Sequence, residues 1–194
     1  MALFGSTNKS LTIEVDLVSG LIKDRQPLQR TLSYLKGLFH DEMAYADMLA
    51  KGDVTVYDFF DLGLPETATD LAFGTSIVYP GKVGDEYFMT KGHFHTILET
   101  AEVYYCLGGH GYMLMESPEG DWEVADMTPG KAVYVPGRYA HRSINVSPSE
   151  VLRTFFVFRA DAGHDYATIE QNGFRKLVVE RNGKPEVIDN PKWA

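Results

Sequence analysis

The stretch GHFHTILETAEVYYCLGG, residues 92–109, decides how this chain is read. It opens with two histidines one residue apart, His93 and His95, and runs on into a segment of alternating character. Side chains repeat every two residues along an extended backbone, so both imidazoles share a face. The same parity in EVYYCLGG places Glu102, Tyr104 and Cys106 on one face and Val103, Tyr105 and Leu107 on the other. Neutral imidazole and carboxylate together suit Fe, Mn, Ni or Zn. Alone, the histidine pair says little, because core and surface histidines with satisfied hydrogen bonds are at least as common. Downstream, GKAVYVPGRYAHRSIN brings a third histidine, His141, after a Pro-Gly turn, with Asn145 closing the segment. A glutamate and a distant histidine, both on strands of a small barrel, can converge inside it.

Working outward, further strands are expected over VTVYDFF (54–60), AFGTSIVYP (72–80), EYFMTKG (86–92), GYMLMES (111–117) and DWEVADM (121–127). KAVYVP (131–136), HRSINV (141–146) and VLRTFFVF (151–158) follow. Turn chemistry separates them: Pro80-Gly81, Gly108-Gly109, Ser117-Pro118-Glu119-Gly120, Thr128-Pro129-Gly130 and Ser147-Pro148. Short strands with tight turns predict an all-β sandwich or barrel, not βαβ units. TIEVDLVSGLI (12–22) starts like a strand. DEMAYADMLAK (41–51) reads as a helix, with Asp41 as N-cap, Lys51 in the last turn and Gly52 to end it. The tail from Asp161 is punctuated by glycines and carries no assigned element. One domain is expected over residues 1–194, its core at roughly 50–160 with both terminal extensions packing on it.

The composition is that of an ordinary globular protein, 44% hydrophobic and 23% charged. A formal net charge of −9 argues against nucleic acid, which needs clustered Lys and Arg. It leaves room for a small anion in a local pocket. No stretch is long enough to span a membrane, and MALFGSTNKS lacks a secretory pattern. With a single cysteine, Cys106, no intrachain disulfide can form; a cytoplasmic location is the expectation. The glycosylation patterns at Asn8 and Asn145 then read as chance. No Walker loop, dinucleotide fingerprint, HExxH or CxxC is present.

Together these segments resemble the cupin superfamily, metal-binding double-stranded β-helices (jelly-roll barrels) with a few short helices. The family's first motif is a glycine, HxH, a glutamate, and a glycine beyond it; its second is a glycine, a proline, a histidine and an asparagine. Two departures stand out. The gap from His95 to Glu102 is longer than usual, and Gly137 directly follows Pro136. The short spacing would select Glu99, but Glu99 leads to Cys106 where the motif wants glycine, whereas Glu102 leads to Gly109. Glu102 is therefore chosen, and Glu99 is assigned to an exposed loop.

TKGHFH, AEVYY, YVPGRYAHR, ADAGHDYATI and the closing DNPKW bring the chain nearer still to the cupin-type glucose-6-phosphate isomerases. That resemblance implies a divalent metal, one per chain and most often Fe2+ (Mn2+, Ni2+, Zn2+ or Co2+ being alternatives), held by His93, His95, Glu102 and His141. It implies aldose–ketose isomerisation of glucose 6-phosphate and fructose 6-phosphate, a step of glycolysis and gluconeogenesis, by a homodimer. Glu102 is implied as the base, with His164 and Tyr166 as hydrogen-bond donors or proton relays. Tyr57, Ser76, Thr90, Gly92 and Tyr104 are implied as contacts to the sugar phosphate. Ser76 stands where a threonine is expected. A hydride shift competes with the enediol route, and both stay open here. The other readings are a different metal-dependent cupin enzyme, a dioxygenase or sugar epimerase, or a non-catalytic ligand-binding cupin. Lys91, Arg138 and Arg142 are expected to be solvated, Cys106 to face the cavity, and His40 and His110 to be structural or surface residues.

Overall fold

The computed structural model describes residues 10–193. The MALFGSTNK segment with the Asn8 glycosylation pattern, and the closing Ala194, lie outside the described residues. Six strands, β1 (Leu28–Thr31), β2 (Thr55–Phe59), β3 (Leu71–Val78), β6 (Glu102–Gly108), β9 (Ala132–Val135) and β11 (Leu152–Arg159), form one antiparallel sheet. Its order is β1-β2-β3-β11-β6-β9. A second sheet joins β10 (Ala140–Asn145), β7 (Gly111–Glu116) and β8 (Trp122–Met127). A third joins β13 (Lys184–Asp189), β12 (Lys176–Arg181), β5 (Glu86–Tyr87) and β4 (Lys82–Val83). Late strand β11 pairs between early strands β3 and β6, so the chain rolls over itself. This is the all-β jelly-roll barrel that the cupin resemblance implies.

Parity decides which side chains enter the barrel. Along β6 the alternate residues Glu102, Tyr104 and Cys106 are buried while Val103 and Tyr105 are exposed, as expected. Register places Glu102 beside Phe158, Tyr104 beside Phe156, and Thr154 between Ser76 and Cys106. The facing sheet contributes His141 opposite Met115 and Ser143 opposite Met113. Every residue of β10 is buried. The apolar remainder forms a large cluster around Met113, Leu114, Met127, Ile144 and Leu152 and a smaller one of Ile22, Phe60, Leu62 and Ile77. Burial of that area is the main stabilising term.

Helix α1 (Glu42–Lys51) begins at Asp41, whose side chain accepts from the Ala44 amide at 2.9 Å, and ends at Gly52, as expected. The segment 12–22 is not a strand. Val15 and Ile22 form a lone antiparallel bridge across a turn in which the Asp16 carboxylate takes the amides of Val18 and Ser19. A local side chain thus captures backbone donors that a ladder would need. The expected strand over 86–92 is also shorter, with only Glu86–Tyr87 in a sheet. Beyond it the Thr90 hydroxyl accepts from the Ser143 amide, and Arg142 Nη2 donates to the Lys91 carbonyl. Those side chains replace ladder bonds, leaving isolated bridges Met89–Ile144 and His93–His141.

The tail holds more than expected: helix α2 (Ala167–Asn172) and the β12–β13 hairpin. The hairpin turns on Asn182-Gly183, both at positive φ, and this dipeptide is a strong hairpin signal in its own right. Asn145 is fully buried, its side-chain amide donating to the carbonyls of Val78 and Glu150, so it is closed to glycan.

Candidate metal centre and substrate cavity

His93, His95, Glu102 and His141 come together in the barrel, each offering a ligand atom within 4.8 Å of the others. His93 and His95 arrive on an extended segment, and His93 bridges to His141 on β10. Glu102 starts β6 on the opposite sheet. Its Oε2 faces His141 Nε2 at 2.9 Å and His95 Nε2 at 3.2 Å. Glu99 is exposed and paired with Arg138, which leaves Glu102 as the carboxylate of the group.

Three imidazoles and one carboxylate are a donor set suited to a divalent metal, and the local structure fits one. His95 Nδ1 faces the Thr100 carbonyl at 3.0 Å and His141 Nδ1 faces the Tyr139 carbonyl at 3.2 Å. A carbonyl only accepts, so both Nδ1 atoms carry hydrogen and the Nε2 atoms are presented inward. His93 Nε2 is buried with no partner in the protein, which fits a metal ligand. Burial holds His93 well below the ordinary imidazole range, helped by the neighbouring charges of His141 and His164. A neutral imidazole is the form that binds metal. Burial pushes the Glu102 carboxyl up, but in the metal-free form the positive field of His141 and Nε2–H hydrogen bonds from His141 and His95 outweigh it and hold it well below the carboxylate range. A bound ion would take the place of those hydrogens.

A cavity of about 250 Å³ opens beside this group. Glu102, His93 and His141 line it, while His95 lies behind them. All five residues read as sugar-phosphate contacts, Tyr57, Ser76, Thr90, Gly92 and Tyr104, also line it. Ser76 Oγ is buried and unpartnered, and the Thr90 hydroxyl, having accepted from Ser143, keeps its hydrogen to give. His164 and Tyr166 complete the wall, their rings stacked at 5.7 Å with His164 against His93 at 4.4 Å. Burial lowers the His164 pKa and raises that of Tyr166 to about 12. Burial, then the Glu102 charge, raises Tyr104 well above its usual range. Both tyrosines therefore stay protonated donors.

Several expectations change. Lys91 is buried, paired with Glu170 and set over the rings of Tyr34 and Tyr166. Arg142 is buried against Phe174 because β10 has no solvent face. Cys106 lies in the apolar core and does not line the cavity, although it shares the Glu102 face. Arg138 is partly exposed, His110 pairs with Asp126 at the surface, and His40 bonds Asp85. Phe156 and Phe158 also line the cavity, which the sequence motifs do not mark. Strand parity on β11 is the signal that could have found them.

The sequence profile of glucose-6-phosphate isomerase (GPI) matches residues 29–193. The chain belongs to the glucose-6-phosphate isomerase family. Its relatives include the glucose-6-phosphate isomerase of Thermococcus litoralis, 46% identical over 93% of this chain and 95% of that protein. The Pyrococcus furiosus enzyme of the same name is 45% identical over the same shares. An oxalate oxidase bound to glycolate superposes at TM-score 0.48, with 10% identity over 59% of this chain and 56% of that one. That likeness is too slight to bear on function. Within the GPI family assignment, the long His95–Glu102 gap and the GHDY segment fall inside the matched span.

Proposed function

We propose that this chain is a metal-dependent aldose–ketose isomerase interconverting glucose 6-phosphate and fructose 6-phosphate. The observation that carries the reading is the cavity itself. It joins a three-histidine, one-carboxylate group to neutral hydrogen-bond donors, among them the unpaired buried hydroxyl of Ser76. The names and full-length similarity of the relatives favour this chemistry over a dioxygenase, an epimerase or a ligand carrier.

Tyr57, Ser76, Thr90 and the Gly92 amide receive the phosphate as neutral donors, which suits a chain of net charge −9. Gly92 has φ +77, and a side chain there would run into Phe174. Glu102, ionised at neutral pH, takes the C2 proton of the open-chain aldose and returns it to C1 of the resulting enediol. To do so it exchanges a histidine contact for the substrate. His164 and Tyr166 carry the hydroxyl proton from O2 to O1. Tyr104 donates toward the developing negative charge beside Glu102. A divalent ion held by His93, His95, Glu102 and His141 would supply Lewis-acid polarisation that acidifies the C2 proton.

The ion we assign is Fe2+, one per chain, on the donor set and the family resemblance. The working protein is a cytoplasmic homodimer serving glycolysis and gluconeogenesis. No helix among the described residues is long and apolar enough to cross a membrane. The outward face of the six-stranded sheet carries exposed Leu71, Val103, Tyr105 and Tyr134, an apolar surface suited to a second copy. Sedimentation equilibrium should give twice the chain mass.

The test of function is a coupled assay of fructose 6-phosphate conversion before and after chelation, with Fe, Mn, Ni, Co and Zn returned singly. Activity lost to the chelator and restored by at least one ion is expected. No chelator-sensitive conversion with any ion would sink the reading.

A further inference from the structure

The two places where the sequence departs from the usual cupin spacing meet in space. The long gap, Thr96–Ala101, folds back on itself: Thr100 donates through both its amide and its hydroxyl to the Ile97 carbonyl, at 3.0 and 2.7 Å. The early glycine, Gly137, lies directly under this loop, where a Cβ would overlap the Glu99 carbonyl. Arg138 is held at φ +75, its amide donating to Leu98 and its guanidinium reaching Glu99. On its other side the loop is tied to the His164 segment by the Ile97 amide, which donates to Ala162 at 2.8 Å.

Each loop ends on a histidine of the metal group. The Thr96–Ala101 loop delivers two acceptors to His95 Nδ1, the Thr100 carbonyl at 3.0 Å and the Thr100 hydroxyl at 2.8 Å. The hydroxyl's own hydrogen is spent on Ile97, so toward His95 it can only accept. The Pro136–Ala140 turn delivers the Tyr139 carbonyl to His141 Nδ1.

We infer that these paired departures form one clamp that fixes the orientation and tautomer of His95 and His141, with Thr100 as its positioning residue. The longer gap is then the means of bringing Thr100 under His95, and Gly137 is the absence of side chain that lets the loop close. Partners of this kind on metal-bound histidines typically change metal affinity by about 10–100-fold when removed. The inference rests on the metal site of the proposed isomerase but not on its substrate, so its test is run without sugar phosphate.

The apo protein is titrated with Zn2+ against a competing chelator. Thr100→Val is isosteric and should weaken Zn2+ by about tenfold or more, while Thr100→Ser should stay within about twofold of the parent. Gly137→Ala, acting from the partner loop, should weaken it in the same direction. Circular dichroism of the apo forms controls for folding. Long-range 15N NMR of the Zn2+-loaded parent gives a readout independent of any variant, and should show His95 and His141 bound through Nε2 with hydrogen on Nδ1. Unchanged Zn2+ affinity in Thr100→Val, no Zn2+ binding by the parent, or a Zn2+-loaded His95 without hydrogen on Nδ1 would overturn the clamp. Loss of isomerase activity with these affinities as expected would count against the substrate reading alone.

Discussion

Glu102 concentrates the chemistry of the site in one side chain. It faces two imidazoles through a single oxygen and lines the cavity where substrate would lie. Glu102→Gln keeps the shape and the oxygen but cannot accept a proton. Isothermal titration should show fructose 6-phosphate still binding, while kcat falls about 10²–10⁴-fold; near-normal turnover would exclude Glu102 as the base. Ser76 is the counterpart at the phosphate end, a buried hydroxyl without a partner in the protein. Ser76→Ala should raise KM for fructose 6-phosphate roughly tenfold, as expected for one hydrogen bond to a charged group, with kcat nearly unchanged. At this scale the sequence was informative, because spacing and parity depend only on local backbone geometry. It failed at Lys91 and Arg142, whose burial depends on what other segments place over them.

At the scale of elements, the alternating strands were legible and the irregular ones were not. β6 shows its parity openly because one face meets the core and the other meets solvent. β10 does not, since both its faces are covered. The 12–22 segment carries the alternation of a strand, but Asp16 and Gly20 close it into a turn before it finds a partner. Asn145, the last residue of the second motif, holds β10 to β3 and to the loop after it. Its amide donates to Val78 and Glu150, and its oxygen accepts from the Ser147 amide. Asn145→Ala leaves those buried groups unpaired and should cost roughly 2–4 kcal/mol in urea unfolding. A loss below about 0.5 kcal/mol would show that water replaces it without penalty.

At the scale of the whole molecule, the third sheet buries a carboxyl, Glu86, whose Oε2 accepts from the His40 amide while Oε1 has no partner. Burial raises its pKa from the ordinary 4.5 to about 7, against the amide of His40 and the charges of Arg142 and His40, with Asp85 adding to the rise. The folded state therefore holds this proton more tightly than the unfolded chain does. Its stabilising contribution is complete below pH 4.5, declines as pH rises to about 7, and is gone above that. The decline is on the order of 3 kcal/mol. Glu86→Gln should flatten the fall of Tm between pH 5 and 7.5 relative to the parent, whatever its effect on absolute stability. Parallel slopes in the two proteins would show that Glu86 ionises freely in the fold.

The sequence by itself determined the class of fold, through periodicity and turn chemistry that survive without knowledge of neighbours. The choice of Glu102 over Glu99, the family and the polar residues of the cavity came from the resemblance of its motifs to a known family. Only the tertiary structure decided that Lys91 and Arg142 are buried, that His95 stands behind the cavity wall, and that Gly137 closes against the loop carrying Thr100. Burial and long-range hydrogen bonds depend on segments far apart in the chain, and no local pattern records which of them will be brought together.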